Sequence, residues 1–309
     1  MGTFLFSAGL AALALQSPPA VPASDSMRAA LWARISADST DARAWLEIGR
    51  AYVQDVGTFH AHRASPDTGW ARAVLDTADL AFARASGYGR GTRTADSAQV
   101  FRVYLWGQKA LLAWEVDGTE GATAAWAALP ETMRLPPVLE ELGENLLRAC
   151  PRHGILLTAA DADTYAAWYM RFARGLRPDL LVLPLAVWTS DTVLRSRVLR
   201  DARQRRLSLQ GLADRRKGPL CASAGFDRAP ELRPRVSWKT RPLVWVAGTE
   251  SKADRVPAED FAFAALKLAI DQHETWSAPV VAIYRRAADL TSALCRPLET
   301  FGIKAEVGC

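Results

Sequence analysis

The sequence predicts an all-α, helical-repeat-like N-terminal region, followed by an α/β domain with a mainly parallel sheet. Up to about residue 147, Ala, Leu, Trp and Arg dominate and runs of β-branched residues are absent, as expected of packed helices. After Cys150-Pro151, short apolar runs alternate with longer segments of helical character. This alternation is typical of a parallel sheet covered by helices on both faces. The two regions are therefore expected at 24–149 and 150–309.

Residues 1–23 are expected to be a secretory signal peptide. The apolar run from Phe4 to Leu15 is followed by small residues and prolines up to Val21-Pro22-Ala23, as in a signal core and its cleavage region. No Lys or Arg precedes the run, so an uncleaved anchor or a mistaken start site is the alternative. The run is shorter than the stretch of about 20 apolar residues that a transmembrane helix needs. The expected location is periplasmic or envelope-associated.

The clearest pattern in the helical region is a set of seven small, aromatic or aliphatic residues in two clusters. These positions are Trp45, Ile48, Gly49 and Tyr52, then Ala78, Phe82 and Ala85. The first cluster resembles the W-x-x-L-G-x-x-Y spacing of a tetratricopeptide repeat, with Ile in place of Leu, and the second resembles the second helix of that repeat. Small residues let two helices approach closely, and aromatic residues fill the seam between them.

The spacing of the two clusters departs from the repeat by about seventeen extra residues, including Gly57 to Gly69. An unrelated helical hairpin is the alternative. Three further helices are predicted, with Gly118 and Pro130 between them. Their ranges are Ser97 to Val116, Glu120 to Leu129 and Pro136 to Leu147. Since they match the repeat poorly, one or two degenerate repeats are expected.

The α/β region is predicted from its apolar runs and helical periods. The predicted strands are 154–158, 179–185, 243–247, 279–284 and a short one at 303–307. The predicted helices are 161–175, 189–210, 257–273 and 287–301.

The stretch from Gly154 to Leu185 carries a resemblance to a known bacterial segment. It reads G-I-L-L-T-A-A-D-A-D-T-Y, then G-L-R-P-D-L-L-V-L-P-L. It resembles the soluble C-terminal part of membrane proteins whose membrane region is like protein O-mannosyltransferases, where G-D-N-D-T follows a strand. Arg241 to Val244 and Leu298 to Val307 resemble later parts of that family. This chain has Ala160-Asp161-Ala162-Asp163 instead of G-D-N-D, and it lacks the membrane-embedded catalytic region. The resemblance implies a fold and an envelope location, and it does not imply glycosyl transfer.

Asp161, Asp163 and Thr164 are the candidate ligand-binding residues. They follow the first predicted strand, at the edge of an open α/β sheet where ligands usually bind. Their oxygens suit a hard divalent cation, a sugar or a polar peptide. The alternative is helix capping, because Asp accepts hydrogen bonds from the free N–H groups of a first turn. The replacement of the family's Asn by Ala162 favours capping.

A basic segment is the candidate contact surface. Between Arg195 and Lys217, nine Arg or Lys stand against two Asp, a net charge of +7 that exceeds the +5 of the whole chain. The nine are Arg195, Arg197, Arg200, Arg203, Arg205, Arg206, Arg215, Arg216 and Lys217. Together with Leu194, Val198, Leu199 and Leu207 they predict a helix with an apolar stripe and a basic face, suited to an anionic membrane or an acidic partner. An ordinary solvated helix face is the alternative.

No catalytic site is predicted, and no cofactor or metal ion is expected. Ser223 lacks the flanking glycine of a nucleophile elbow, Gly248 to Lys252 has the wrong spacing for a phosphate-binding loop, and His60-x-His62 offers too few zinc ligands. Cys150, Cys221, Cys295 and Cys309 allow three disulfide connectivities or free thiols. With its charge concentrated in one segment, the chain is a poor fit to a nucleic-acid binder.

The expected function is a non-catalytic envelope interaction protein with a protein partner. The alternative is a carbohydrate- or metal-dependent enzyme or binding domain using Asp161 and Asp163.

Overall fold

A computed structural model describes residues 25–63, 65–66, 69–130 and 133–309. The expected signal segment, 1–23, lies outside the described residues. Within the described part of the chain, no helix is both long enough and apolar enough to cross a membrane.

The N-terminal region is helical, as predicted. Its helices are α1 (Asp25–Ala37), α2 (Ala42–His62), α3 (Trp70–Tyr88), α4 (Arg93–Ala127) and α5 (Pro137–Ala149). The predicted break at Gly118 is present, because this residue has φ 71° and ψ −156° inside α4 and separates two helical arms. A positive φ costs glycine nothing, since it has no Cβ. Part of the expected insertion is helical, since α2 continues through residues 57–62.

The seam between α2 and α3 is formed by the predicted residues. A Cβ atom added at Gly49 would lie 2.6 Å from Cε1 of Phe82, which is fully buried. Trp45, Ala78 and Ala85 are buried in the same core. The small residue at Gly49 therefore allows the aromatic ring of the second helix to pack against the backbone of the first.

The α/β region begins at residue 155. Its strands are β1 (Ile155–Thr158), β2 (Leu181–Pro184), β3 (Leu220–Ser223), β4 (Lys239–Arg241) and β5 (Val244–Ala247). Its helices are α6 (Asp161–Trp168), which continues as a π-helical turn (Tyr169–Ala173), α7 (Leu185–Ser190), α8 (Thr192–Asp201), α9 (Leu209–Arg216), α10 (Ala264–Asp271), α11 (Ser277–Leu290) and α12 (Cys295–Thr300). Short 3-10 turns lie at Lys252–Asp254, Ala258–Asp260 and Ser292–Leu294.

The sheet is mixed, so the prediction of a mainly parallel sheet is wrong. The strand order is β2-β1-β3-β5-β4. Strand β1 runs parallel to β2 and β3, whereas β5 runs antiparallel to β3 and β4. Only two residues, Pro242 and Leu243, connect β4 to β5, and Leu243 has φ 66°. A two-residue connection makes a hairpin, because parallel neighbours need a crossover of a dozen or more residues.

Two predicted strands and two predicted helices are also wrong. Residues 279–284 lie in α11, where Val280, Ile283, Tyr284 and Ala287 are buried at helical spacing, so this run has a helical period. Residues 303–307 form turns. The predicted helix 189–210 is divided among α7, α8 and the first residues of α9, and 257–273 is helical mainly at its end, in α10. Strands β3 and β4 were not predicted, since each has only three or four residues.

Both disulfide pairs are present in the structure. Cys150, which follows α5, is joined to Cys221 in β3, and Cys295 at the start of α12 is joined to Cys309. The first bridge links the helical region to the sheet across 71 residues of sequence. Disulfides of this kind are typical of proteins that fold in an oxidising compartment.

Helix α6 packs against helices of the N-terminal region and also against the sheet. Its Tyr165 ring lies against Gly107 of α4, where an added Cβ would be 2.2 Å from Cε1 of Tyr165. On another side Gly143 of α5 approaches the backbone, with an added Cβ 2.2 Å from the carbonyl oxygen of Ala166. The indole N–H of Trp168 donates to the carbonyl of Val182 in β2. One continuous hydrophobic core therefore extends from the helices into the sheet.

A buried ion-pair network also joins the two regions. The guanidinium of Arg63, which follows α2, contacts both carboxylate oxygens of Glu115 in α4 and one of Asp191 before α8. The side chain of Glu115 has no exposed surface, and that of Arg63 is 3% exposed. Burial raises the pKa of Glu115, whereas the hydrogen bonds and the positive charge of Arg63 lower it and favour the charged carboxylate. Buried charges of this kind require partners, so the contact specifies how the three segments meet.

We expect Gly49→Leu to lower the free energy of unfolding by about 1–3 kcal/mol or more, because the new side chain overpacks the seam against Phe82. Urea denaturation followed by circular dichroism measures the change. Gly87→Leu in α3 is the matched control, since an added Cβ there has no neighbour within 4 Å. Equal effects of the two substitutions would show that Gly49 is not held at a close helix contact.

Candidate functional site

The candidate residues Asp161, Asp163 and Thr164 lie where the sequence placed them, directly after β1 and in the first turn of α6. This is the carboxyl end of β1, and the parallel strand β3 ends beside it with Ser223. The three side chains point to different surroundings, so each is described separately.

Asp163 is a fully buried carboxylate whose hydrogen bonds are made within the protein. It accepts from the backbone N–H groups of Ala159 (2.8 Å) and Ala160 (2.9 Å), and from the hydroxyl of Ser223. Burial raises its pKa, while these three donors favour the charged form. Asp163 therefore fastens the β1–α6 turn to the end of β3, which extends the capping role expected of an Asp at this position.

Thr164 and Ser223 are likewise engaged inside the protein. The hydroxyls of Thr164 and Thr158 are hydrogen-bonded at 2.7 Å, and both residues are buried. Ser223 is buried beneath Gly225, where an added Cβ would lie 2.4 Å from Oδ2 of Asp163. A serine hydroxyl needs a general base and access to substrate to act as a nucleophile. Ser223 has a carboxylate partner but is fully covered, which supports a structural role.

Asp161 is the one member of the three candidates that is not fully buried. Burial raises its pKa from 3.8 to about 6, the hydrogen bond from Tyr165 lowers it, and the charge of Asp163 raises it further. Tyr104 of α4 lies beside Tyr165, with ring centroids 6.0 Å apart, and burial raises the pKa of Tyr104 to about 12. Asp161 therefore combines partial access to solvent with a carboxyl group that titrates near neutral pH.

The arrangement does not assemble a divalent cation site. Three donors already occupy Asp163, and Thr164 is turned towards Thr158, so Asp161 alone would contribute a solvent-facing oxygen. A calcium ion takes six to eight oxygen ligands. Among the described residues no three His, Cys, Asp or Glu side chains are grouped so that they could hold a metal ion.

The basic segment is divided into members that have internal partners and members that are exposed. Arg195 donates to the carbonyls of Trp188 and Thr189, Arg197 pairs with Asp201 and donates to Val116, and Arg216 donates to the carbonyl of Asp179. The other six side chains are exposed, and we call them the basic surface. They are Arg200, Arg203, Arg205, Arg206, Arg215 and Lys217.

The apolar residues of this segment do not form an outward stripe. Leu194, Val198 and Leu199 of α8 are buried in the core, and Leu207 is partly buried against it. The predicted long amphipathic helix is therefore wrong, because a turn at residues 202–208 separates α8 from α9 and the apolar faces are used for packing. The four arginines from Arg200 to Arg206 surround this turn. The other two basic residues lie at the end of α9, whose eight residues span about 12 Å.

Several residues of this site could not be identified from the sequence. Tyr104 approaches Asp161 from α4, about sixty positions earlier in the chain, and Ser223 reaches Asp163 from a strand that was not predicted. The nearest available signal was the short apolar run Pro219 to Ser223 with a cysteine at its centre, which is consistent with a buried strand but too short to be distinctive.

We expect Asp163→Asn to lower the free energy of unfolding by about 1–3 kcal/mol, since an amide has one acceptor oxygen for three donors and turns an N–H group towards one of them. The urea midpoint of the variant is compared with that of Asp161→Asn, whose side chain is partly exposed. Unchanged stability of Asp163→Asn would show that these hydrogen bonds do not hold the turn.

Asp161 should make stability depend on pH. Its pKa is higher in the folded protein than its ordinary 3.8, so the folded state binds this proton more tightly than the unfolded state does. The contribution of Asp161 is therefore most favourable below about pH 4 and is lost as pH rises to about 6. At pH 7, Asp161→Asn should be more stable than the wild type by about 1–2 kcal/mol, because the amide avoids the cost of burying a charged carboxylate and the helix dipole offsets part of that cost. At pH 4 the two proteins should be equally stable. Urea titrations of both proteins at the two pH values test this; a stability difference that does not change with pH would contradict it.

The chain was also compared with known proteins. No family model matches it, and no curated protein or solved structure matches it either. The expected resemblance of Gly154 to Leu185 to the O-mannosyltransferase-like proteins therefore stays a prediction.

Proposed function

We propose that this chain is an exported, non-catalytic interaction protein that binds an acidic partner protein of the cell envelope through the basic surface. The basic surface carries the proposal. Its six positive side chains are exposed, and the two acidic residues of the same segment are already occupied, Asp201 with Arg197 and Asp214 with Gln210. Uncompensated charge of one sign raises the rate and specificity of association with a surface of the opposite sign.

The covered apolar faces favour a protein partner over direct insertion into a bilayer. A helix that lies in a membrane interface buries an apolar face among the lipids. Leu194, Val198 and Leu199 are unavailable for this because they pack in the core. Contact through the basic surface is therefore electrostatic, and an acidic protein offers such contacts in a fixed geometry.

Export is supported by two independent features. The two disulfides suit an oxidising compartment, and the apolar segment Phe4 to Leu15 has the composition of a signal core. The likeness to the soluble part of envelope proteins points the same way. The partner that we propose is a subunit of a membrane-protein complex.

The second candidate function is a carbohydrate- or metal-dependent site at Asp161 and Asp163. It is favoured by one observation, the partly exposed carboxyl of Asp161 with a pKa of about 6 beside two tyrosines. A carboxyl that titrates near neutral pH suits general acid–base chemistry. The internal hydrogen bonds of Asp163 and Thr164 weigh against it, so the interaction function is preferred.

We expect the triple substitution Arg203→Glu, Arg205→Glu and Arg206→Glu to weaken partner binding about tenfold or more, because it reverses half of the basic surface. The measurement is capture from a native envelope extract by the tagged full chain, quantified at about 50 mM and about 300 mM salt. Wild-type capture should fall with salt, since added ions screen exposed charges.

Arg90→Glu, Arg93→Glu and Lys252→Glu form the matched control, with the same change of charge at exposed positions elsewhere. This control should capture the partner as the wild type does. Equal capture by both triple variants would remove the basic surface from the proposal. If no protein is captured and the chain instead binds vesicles of anionic lipid in a salt-sensitive way, the partner of the basic surface is a lipid bilayer and the proposal of a protein partner is wrong.

A further inference from the structure

The loop between β3 and β4 borders an open cavity of about 650 Å³ that the proposed function does not use. The loop leaves β3 after Ser223 and rejoins the sheet at Lys239, which lies level with Val246 of β5. The volume lies within the range of about 300–1,000 Å³ that small-molecule sites occupy. The residues that line it are Ala229, Pro230, Glu231, Leu232, Arg233, Arg235, Val236 and Trp238.

Hydrogen bonds hold the loop in this shape. The indole N–H of Trp238 donates to the carbonyl of Pro230 at 2.9 Å and closes residues 230–238 into a ring. The start of the loop is fixed to α11, because Nε of Arg286 donates to the carbonyl of Ala224 at 2.9 Å and the same guanidinium lies 3.5 Å from Asp227. The opening is therefore preformed, which reduces the ordering cost of binding.

The lining combines an apolar wall with positive charge. Leu232, Val236 and Trp238 are partly buried and pack against the core, so they offer a fixed apolar surface. Arg233 and Arg235 are exposed, and no ion pair in the described part of the chain involves either of them. Glu231 is the single acidic lining residue, so the cavity carries a net positive charge.

We propose that this cavity binds a small carboxylic acid with an aromatic or branched apolar body. The apolar body would pack on the indole of Trp238 and the side chains of Leu232 and Val236. The carboxylate would accept hydrogen bonds from Arg233 and Arg235, whose guanidinium groups match carboxylate geometry. A neutral apolar ligand would use only half of these features, and a bare inorganic anion would leave the apolar wall exposed.

The test uses the full oxidised chain and two soluble probes of the same shape, 4-phenylbutyrate and its neutral analogue 4-phenylbutan-1-ol. Isothermal titration calorimetry measures affinity, and the indole ¹H–¹⁵N signal of Trp238, assigned by its loss in Trp238→Phe, reports the place of binding. We expect a Kd of about 0.1–1 mM for the acid, as is ordinary for a ligand of this size, and at least about tenfold weaker binding of the alcohol.

The variant Arg233→Gln/Arg235→Gln should lose at least about tenfold in affinity for the acid while keeping the wild-type melting temperature, because both side chains are exposed. Arg90→Gln/Arg93→Gln removes two exposed charges from the helical region and should bind the acid as the wild type does. Equal affinity for acid and alcohol would overturn the proposal. So would an unmoved Trp238 signal, or an unaltered affinity in Arg233→Gln/Arg235→Gln.

Discussion

The close packing of α6 against three neighbours determines the position of the rest of the structure. Gly107 and Gly143 let α4 and α5 approach α6 from two directions, and Trp168 ties it to β2. A side chain at either glycine would collide with the Tyr165 ring or with the backbone at Ala166, and close-packed interiors do not absorb such displacements. The helical region and the sheet therefore meet in one arrangement, with the first turn of α6 between them.

Buried polar groups add specificity to this hydrophobic contact. Arg63 reaches two carboxylates from different segments, and Asp163 reaches a serine from another strand. An unpaired buried charge is costly, so alternative alignments that separate these partners are disfavoured even where apolar packing would tolerate them. The same requirement explains why the oxygens of Asp163 accept hydrogen bonds inside the protein and are not free to bind a ligand.

Sequence patterns predicted the parts of this fold that depend on local interactions. The Gly49 seam, the break at Gly118 and the strand-to-helix turn at Asp161 each have a short-range physical cause, and each is present. Sheet direction depends on how distant strands pair, and the apolar run 279–284 satisfies both helical and strand patterns until its neighbours are known. The partners of Asp163 and the cavity at Trp238 arise from tertiary contacts and from loop shape, for which single-sequence patterns carry little signal.

The bridge between Cys150 and Cys221 makes residues 151–220 a covalently closed loop. A mechanical pull between the helical region and the chain beyond β3 passes through the two sulfur atoms, so β1, β2, α6 and the basic surface carry none of that tension. A protease that cuts at the exposed turn around Arg203 to Arg206 would likewise leave both fragments attached to each other. The segment that offers its charges to a partner is thus shielded from tension, and it can be cleaved without separating from the rest of the molecule.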